Sequence, residues 1–189
     1  MTPEAPVCFA CLADWLAWLE RHHTSSSGVW LRFAKKGSAL QSVTYTEALE
    51  AALCFGWIDA QKKPESDAAW LQRFTRRLPR SIWSKRNRET ALALIAAGRM
   101  QPAGLAAVES AQADGRWDSA YDSPATAAVP DDFAAALARN RRAQAFFAAL
   151  DKANRYAVLF RLQTARRPET RARRIRQFVD MLSRGEKLH

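Results

Sequence analysis

The stretch between residues 73 and 88 is the part of this sequence best equipped for chemistry. It holds Arg73, Arg76, Arg77, Arg80, Lys85, Arg86 and Arg88 without one acid, interleaved with Phe74, Trp83, Ser81, Ser84 and Asn87. Guanidinium groups grip phosphate or carboxylate through paired N–H donors, and hydroxyls and amides add further hydrogen bonds. A helix starting near Ser84 would contribute its own amides and dipole. The pattern predicts an anion site built from Arg73, Arg77, Arg80, Ser81, Trp83, Lys85 and Asn87. The competing account is a solvated loop whose aromatic residues belong to the core.

Trp57 and Asp59 form the second candidate. An acid in an otherwise apolar run, just after a helix and glycine, is either a site carboxylate or the buried partner of an arginine. The cost of burying an unpaired charge favours the pair, with Arg73 or Arg77 as the expected cation. Lys35, Lys36, Tyr45 and Glu50 could line the same end of a sheet as supporting residues. If these groups converged in one pocket, Asp59 or Glu50 could serve as general base. Arg73, Arg77 or Lys85 would then stabilise charge on a phosphorylated or carboxylated small molecule. If they are dispersed, binding is the better reading.

Other chemistry finds less support. Cys8 and Cys11 form a C-x-x-C with no second pair to complete a tetrahedral metal site, so no metal and no cofactor is expected. His22 and His23 lack the spacing that aims two imidazoles at one ion, and His189 is terminal. No nucleophile elbow and no glycine-rich phosphate loop occurs. Residues 84–113 resemble a helix-turn-helix in outline, but the second helix carries Glu109 and no Lys or Arg, so it lacks the donors that read bases. A second basic run, Arg161, Arg166, Arg167, Arg171, Arg173, Arg174 and Arg176, could grip phosphates or pair with acids of the fold.

Hydrophobic periodicity supplies the elements that must hold these groups. Phe9, Leu12, Leu16 and Leu19, widened by Trp15 and Trp18, predict an amphipathic helix ending at His22–His23. Val29–Ala34 reads as a strand, with Val29, Leu31 and Phe33 on one face. Thr44 or Thr46 caps a helix through Phe55, closed by Gly56. Strands over 57–61 and 69–75 follow, separated by a polar loop containing Pro64. Helices from Ser84 to Ala97 and from Pro102 to Ala113 form a hairpin. Beyond it one helix runs from Pro130 through Phe133, Leu137, Phe146, Phe147 and Leu150. A second spans 151–165, and a last one starts at Pro168. The fold class is α+β: a small three-stranded sheet with flanking helices, then an all-helical C-terminal segment. The expected domains are 1–117 and 131–189, joined by a Ser-, Pro- and Asp-rich linker at 118–130.

Composition sets the outer limits. The chain has 189 residues, 48% hydrophobic and 25% charged, enough to bury a core without staples. Twenty-nine Lys and Arg against 19 Asp and Glu give a net charge of +10, which favours anionic partners, nucleic acid among them. Three cysteines, no basic start to the chain and no membrane-length apolar run predict a cytoplasmic protein with no membrane partner.

Two long stretches resemble the YdeI/OmpD-associated family, also described as bacteriocin-protection proteins. One comprises Ala52-Leu-Cys-Phe-Gly-Trp-Ile-Asp59, Gln72 through Asn87, and Gly98-Arg-Met-Gln-Pro-Ala-Gly104. The other comprises Asn154-Arg-Tyr and Ala165 through Ile175. The resemblance extends over nearly the whole chain, with departures at Ala60 and Arg76, where glycine and proline are expected; both concern loop shape more than chemistry. It implies a fold more than an activity. The function expected from all this is a stress-related binding protein with a basic, Trp-lined face for an anionic ligand or partner. An enzyme or a protein-interaction module built on the terminal helices are the alternatives.

Overall fold

A computed structural model describes residues 5–189; the first four residues, on which the expected absence of a basic leader partly rests, lie outside the described residues. The structure is α+β, with eight helices and one three-stranded sheet among the described residues. It divides into two compact units, residues 5–81 with 87–117, and residues 82–86 with 118–189.

In the first unit α1 (Leu12–His22) precedes β1 (Val29–Ala34), α2 (Tyr45–Cys54), β2 (Trp57–Pro64) and β3 (Ala69–Arg76). The sheet is antiparallel in the order β1-β3-β2. β1 alternates as expected, with Val29, Leu31 and Phe33 buried. The hairpin strands run further than predicted: Pro64 ends β2 instead of lying in the loop. A proline is tolerated there because β2 is an edge strand and need not donate outward. A bulge between Asp59 and Lys62 also interrupts that edge, and together with two lysines it discourages pairing with another chain. The opposite edge is covered, since Val7 bridges in parallel to β1: Val7 N donates to Trp30 O at 2.8 Å and Arg32 N to Val7 O at 2.9 Å.

The helices close over one face of this sheet. Trp15, Leu19, Leu53, Trp57 and Phe74 are essentially inaccessible. Both buried indoles keep a hydrogen bond, Trp15 Nε1 to Ala48 O and Trp57 Nε1 to His23 O, each at 3.0 Å, so their burial leaves no N–H orphaned. Thr44 is the cap of α2: Glu47 N donates to its hydroxyl, while Thr44 N donates to the Glu47 carboxylate at 3.0 Å. Thr46, the alternative, lies inside the helix. The hydroxyl and amide of Thr44 hold the Glu47 carboxyl below its ordinary range.

α3 (Lys85–Ala96) and α4 (Pro102–Ala113) form the expected hairpin, the first two residues of α3 grouping with the second unit. α4 is packed very closely on the end of α2. Gln101 N donates to Cys54 O at 3.0 Å, and a Cβ at Gly104 would come 2.2 Å from that same carbonyl oxygen. Gly56, at φ +72°, turns the chain out of α2 into β2 directly against Ala103 O.

The second unit contains α5 (Asp131–Ala138), α6 (Arg141–Ala149), α7 (Lys152–Gln163) and α8 (Pro168–Ser183). Their core is Phe133, Leu137, Phe147, Val158, Leu159, Leu162, Phe178 and Leu182. The single helix predicted from Pro130 to Leu150 is broken at Arg139–Asn140. The Asn140 side chain accepts from Ala143 N at 3.1 Å and starts a new helix there. The break lets α5 and α6 both turn an apolar face to α8. Residues 82–86 join this unit through a bridge between Ser84 and Tyr121, with Lys85 N donating to Tyr121 O at 2.8 Å.

Candidate functional site

The first unit carries a cleft of about 400 Å³ where the end of α1, the α2–β2 turn, the end of β3 and one face of α4 meet. Its apolar wall comes from Phe55, Leu78 and Pro79 and from the small residues Ala103, Ala106 and Ala107. The last three share one face of α4 because they are spaced at helical intervals. Its polar rim is His23, Thr24, Arg76, Arg77, Ser110 and Arg116. Among the described residues no Asp or Glu lines it.

Each rim cation is positioned by the fold. Arg76, the last residue of β3, lies opposite Trp57 in the ladder, and its Nη1 donates to Thr24 O at 3.0 Å. Arg77 follows the strand; its backbone N donates to Gly56 O at 2.9 Å, and its side-chain Nε and Nη2 are shielded from solvent. Arg116 is only 7% exposed. Its Nε donates to the Asp114 carboxylate at 2.7 Å, its Nη1 to Ser81 O at 2.9 Å and its Nη2 to Ser110 Oγ at 3.0 Å. It therefore ties the segment after β3 to the end of α4. The His23 ring lies beside Phe55, with centroids 5.2 Å apart, and its Nδ1 donates to Leu19 O at 2.9 Å. A carbonyl can only accept, so Nδ1 carries a proton.

The residues expected from sequence are dispersed. Of the anion-site set, Arg77 lines the cleft, and Ser81 borders it through its carbonyl bond to Arg116 and a hydroxyl that accepts from Leu78 N at 2.9 Å. Arg80 is exposed nearby. Arg73 sits mid-strand opposite Trp30. Asn87 lies half-buried in α3, while Trp83 and Lys85 belong to the second unit. There Lys85 pairs with Asp122 at 2.7 Å. Trp57 and Trp83, 0% and 1% exposed, are core residues and offer no ring to a ligand, so the Trp-lined face is not formed by them.

Asp59 does not pair with Arg73 or Arg77. Its carboxylate accepts from the Tyr45 hydroxyl at 2.7 Å, and none of the ion pairs among the described residues includes it. It stays half-exposed, so a phenol and water suffice where full burial would have demanded a cation. Glu50 pairs with Arg99 at 3.0 Å. Neither carboxylate lines the cleft. Lys35 donates to Ser66 O at 2.7 Å and Lys36 is exposed in the following turn.

Sequence reasoning missed His23, Thr24, Gly56, Ser110 and Arg116. The nearest signal was Asp114-Gly115-Arg116-Trp117, a glycine turn holding opposite charges directly after an apolar helix. Arg76, counted in the basic stretch but left out of the expected anion site, its departure from the family pattern being read as loop shape more than chemistry, is a strand residue that brings a cation to the rim. In the terminal basic run, Arg171 is held by Asp132 through Nε at 2.6 Å and Nη2 at 2.8 Å, and Arg174 donates to Arg161 O. Arg173 and Arg176 remain exposed. No group of three metal-binding side chains occurs among the described residues, and Cys8, Cys11 and Cys54 are thiols. No helix among them is long and apolar enough to cross a membrane.

Comparison with known proteins divides along the same units. Residues 7–107 match the family described as Domain of unknown function (DUF8412). Residues 126–185 match the family described as Bacteriocin-protection, YdeI or OmpD-Associated. The second stretch that carried the resemblance, Asn154 to Ile175, lies inside the latter match, whereas the stretch from Ala52 to Gly104 lies inside the former. No curated protein and no solved structure matches the chain. Over more than half its length the chain belongs to the DUF8412 family, and in its C-terminal part it carries a domain of the YdeI/OmpD-associated, bacteriocin-protection family.

Proposed function

We propose that this protein binds a small organic anion, one with a phosphate or carboxylate head and an apolar body, in the cleft of its first unit. The observation that carries this reading is the composition of the lining: three arginines and a histidine, no acid among the described residues, and an alanine-rich apolar wall. Arg76 and Arg116 are held by backbone carbonyls, a serine hydroxyl and the Asp114 carboxylate, and an arginine-rich rim favours an anionic head by charge and by charge-assisted hydrogen bonds. The wall, half of it alanine, leaves room for a flat or branched apolar group. A volume of about 400 Å³ suits a metabolite-sized ligand.

Binding is preferred to catalysis because the carboxylates that could act as bases, Asp59 and Glu50, are engaged elsewhere. Three free thiols fit a reducing compartment, which supports a cytoplasmic setting. Isothermal titration with phenyl phosphate tests the reading, because that probe combines both ligand features. Phenyl phosphate should bind more tightly than either inorganic phosphate or phenol. Arg77→Gln should weaken it about tenfold or more, the cost of losing one charge-assisted bond. No binding heat from the folded protein, or equal affinity in the variant, would overturn it.

A further inference from the structure

A different surface of the first unit combines lysines with an accessible indole. The end of the β2–β3 hairpin borders a shallow cavity of about 560 Å³ lined by Lys35, Lys62, Lys63, Pro64 and Trp70. Trp70 is half-buried. Phe33, its register partner on β1, stacks beside it with centroids 4.8 Å apart and planes 23° from parallel, and Tyr45 lies 5.8 Å away. From the β2 side Lys62 Nζ lies 4.2 Å from the Trp70 centroid. Lys63, the next residue, lies at the same distance from Trp30. Consecutive strand residues point to opposite faces, so the hairpin end carries one lysine–tryptophan pair on each face.

The local charge is strongly positive. Of the two acids in the turn, both exposed, Glu65 is clamped by Arg32, which holds its carboxyl below the ordinary range, and Asp67 is left to offset the lysines. Lys35 and Lys36 add two further cations. We propose that this surface binds single-stranded nucleic acid, with a base stacked on Trp70 and backbone phosphates on Lys35, Lys62 and Lys63. A base stacks on an indole more strongly than a solvated ammonium does, so it can take the place of Lys62. The displaced ammonium is then free to meet a phosphate. Phe33 and Tyr45 hold the indole in place before the strand arrives, so the platform is preorganised. Duplex DNA has no unstacked base to offer and gains only the phosphate contacts.

The test is fluorescence anisotropy of labelled oligothymidylate, oligouridylate and a duplex, at about 50 and about 150 mM salt. The full chain should bind both single strands and should bind duplex less tightly. Trp70→Leu should weaken single-strand binding about tenfold, the size expected for removing one stacked base. Because Trp70 also packs on Phe33, the doubly substituted Lys62→Gln/Lys63→Gln chain gives a second reading at exposed positions. It should bind more weakly, with a salt slope shallower by about 1.4 in log K against log salt, about 0.7 for each phosphate that is no longer neutralised. No binding at low salt, duplex binding as tight as single-strand binding, or wild-type affinity in the lysine variant would each overturn the proposal. Competition by adenosine monophosphate as effective as by an oligomer would assign the platform to free nucleotides and overturn the strand reading.

Discussion

Replacing Gly104 by alanine tests whether the α2–α4 seam beneath the cleft is as tight as described. Helix propensity alone predicts stabilisation, since alanine is favoured over glycine inside a helix by about 1 kcal/mol. The structure predicts the opposite sign. The new Cβ would lie 2.2 Å from Cys54 O and 2.8 Å from Cys54 C, and both are backbone atoms that cannot rotate away. Ordinary contact begins at 3.4 Å, so α4 must move from α2 by about 1.2 Å. Overpacking of this kind costs about 1–3 kcal/mol. The shift also strains the Gln101 N to Cys54 O hydrogen bond, worth about 1 kcal/mol. After the helix gain is subtracted, the net effect is a loss of about 1–3 kcal/mol. Urea unfolding followed by tryptophan fluorescence measures it, because Trp15 and Trp57 report on this unit. A midpoint equal to or above that of the wild type would refute the reasoning.

Two further outcomes follow from individual contacts. Arg171 holds the Asp132 carboxyl below its usual range through two hydrogen bonds, so its stabilisation is present above about pH 4, the unfolded value, and is lost as pH falls through the lower folded value. Arg171→Met should therefore cost about 0.5–1 kcal/mol more at pH 7 than near pH 2, the part that persists in acid being the loss of its Nη1 bond to Leu162 O at 2.7 Å. Helical circular dichroism in urea at the two pH values checks this, and an undiminished difference in acid would contradict it. Burial pushes the Cys54 thiol up, whereas Cys11 is exposed. A thiol reagent at neutral pH should modify Cys11 well before Cys54, as read by peptide mass spectrometry, and early labelling of Cys54 would contradict the packing.

Local patterns made much of the fold legible. The alternation of Val29, Leu31 and Phe33 marked β1, and the Thr44 and Glu47 spacing marked the start of α2 once the reciprocal bonds are seen. Pro64 misled because proline usually interrupts strands, yet the outer side of an edge strand needs no donor. Asn140 was hidden because an apolar period continues across it, although its side chain caps α6. The cleft was only partly legible because its lining comes from four separated segments, 23–24, 55–56, 76–79 and 103–116. Arg77 announced itself by charge. His23 gave no sign, since its role depends on the end of α1 meeting the turn at Gly56. Charge alone assigns Asp59 an arginine, but half-exposure makes a tyrosine hydroxyl sufficient.

The most direct test of the account is a titration of the isotopically labelled protein with phenyl phosphate, followed by amide chemical shifts. The account predicts saturable shifts clustered at Gly56, Arg77, Leu78, Ala103 and Ala107, all needing about tenfold or more ligand to saturate in Arg77→Gln while the remainder of the spectrum stays that of the folded protein. Shifts confined to other positions, such as the Trp70 hairpin or the exposed Arg173 and Arg176, or no saturable shift, would contradict a ligand-binding cleft in the first unit.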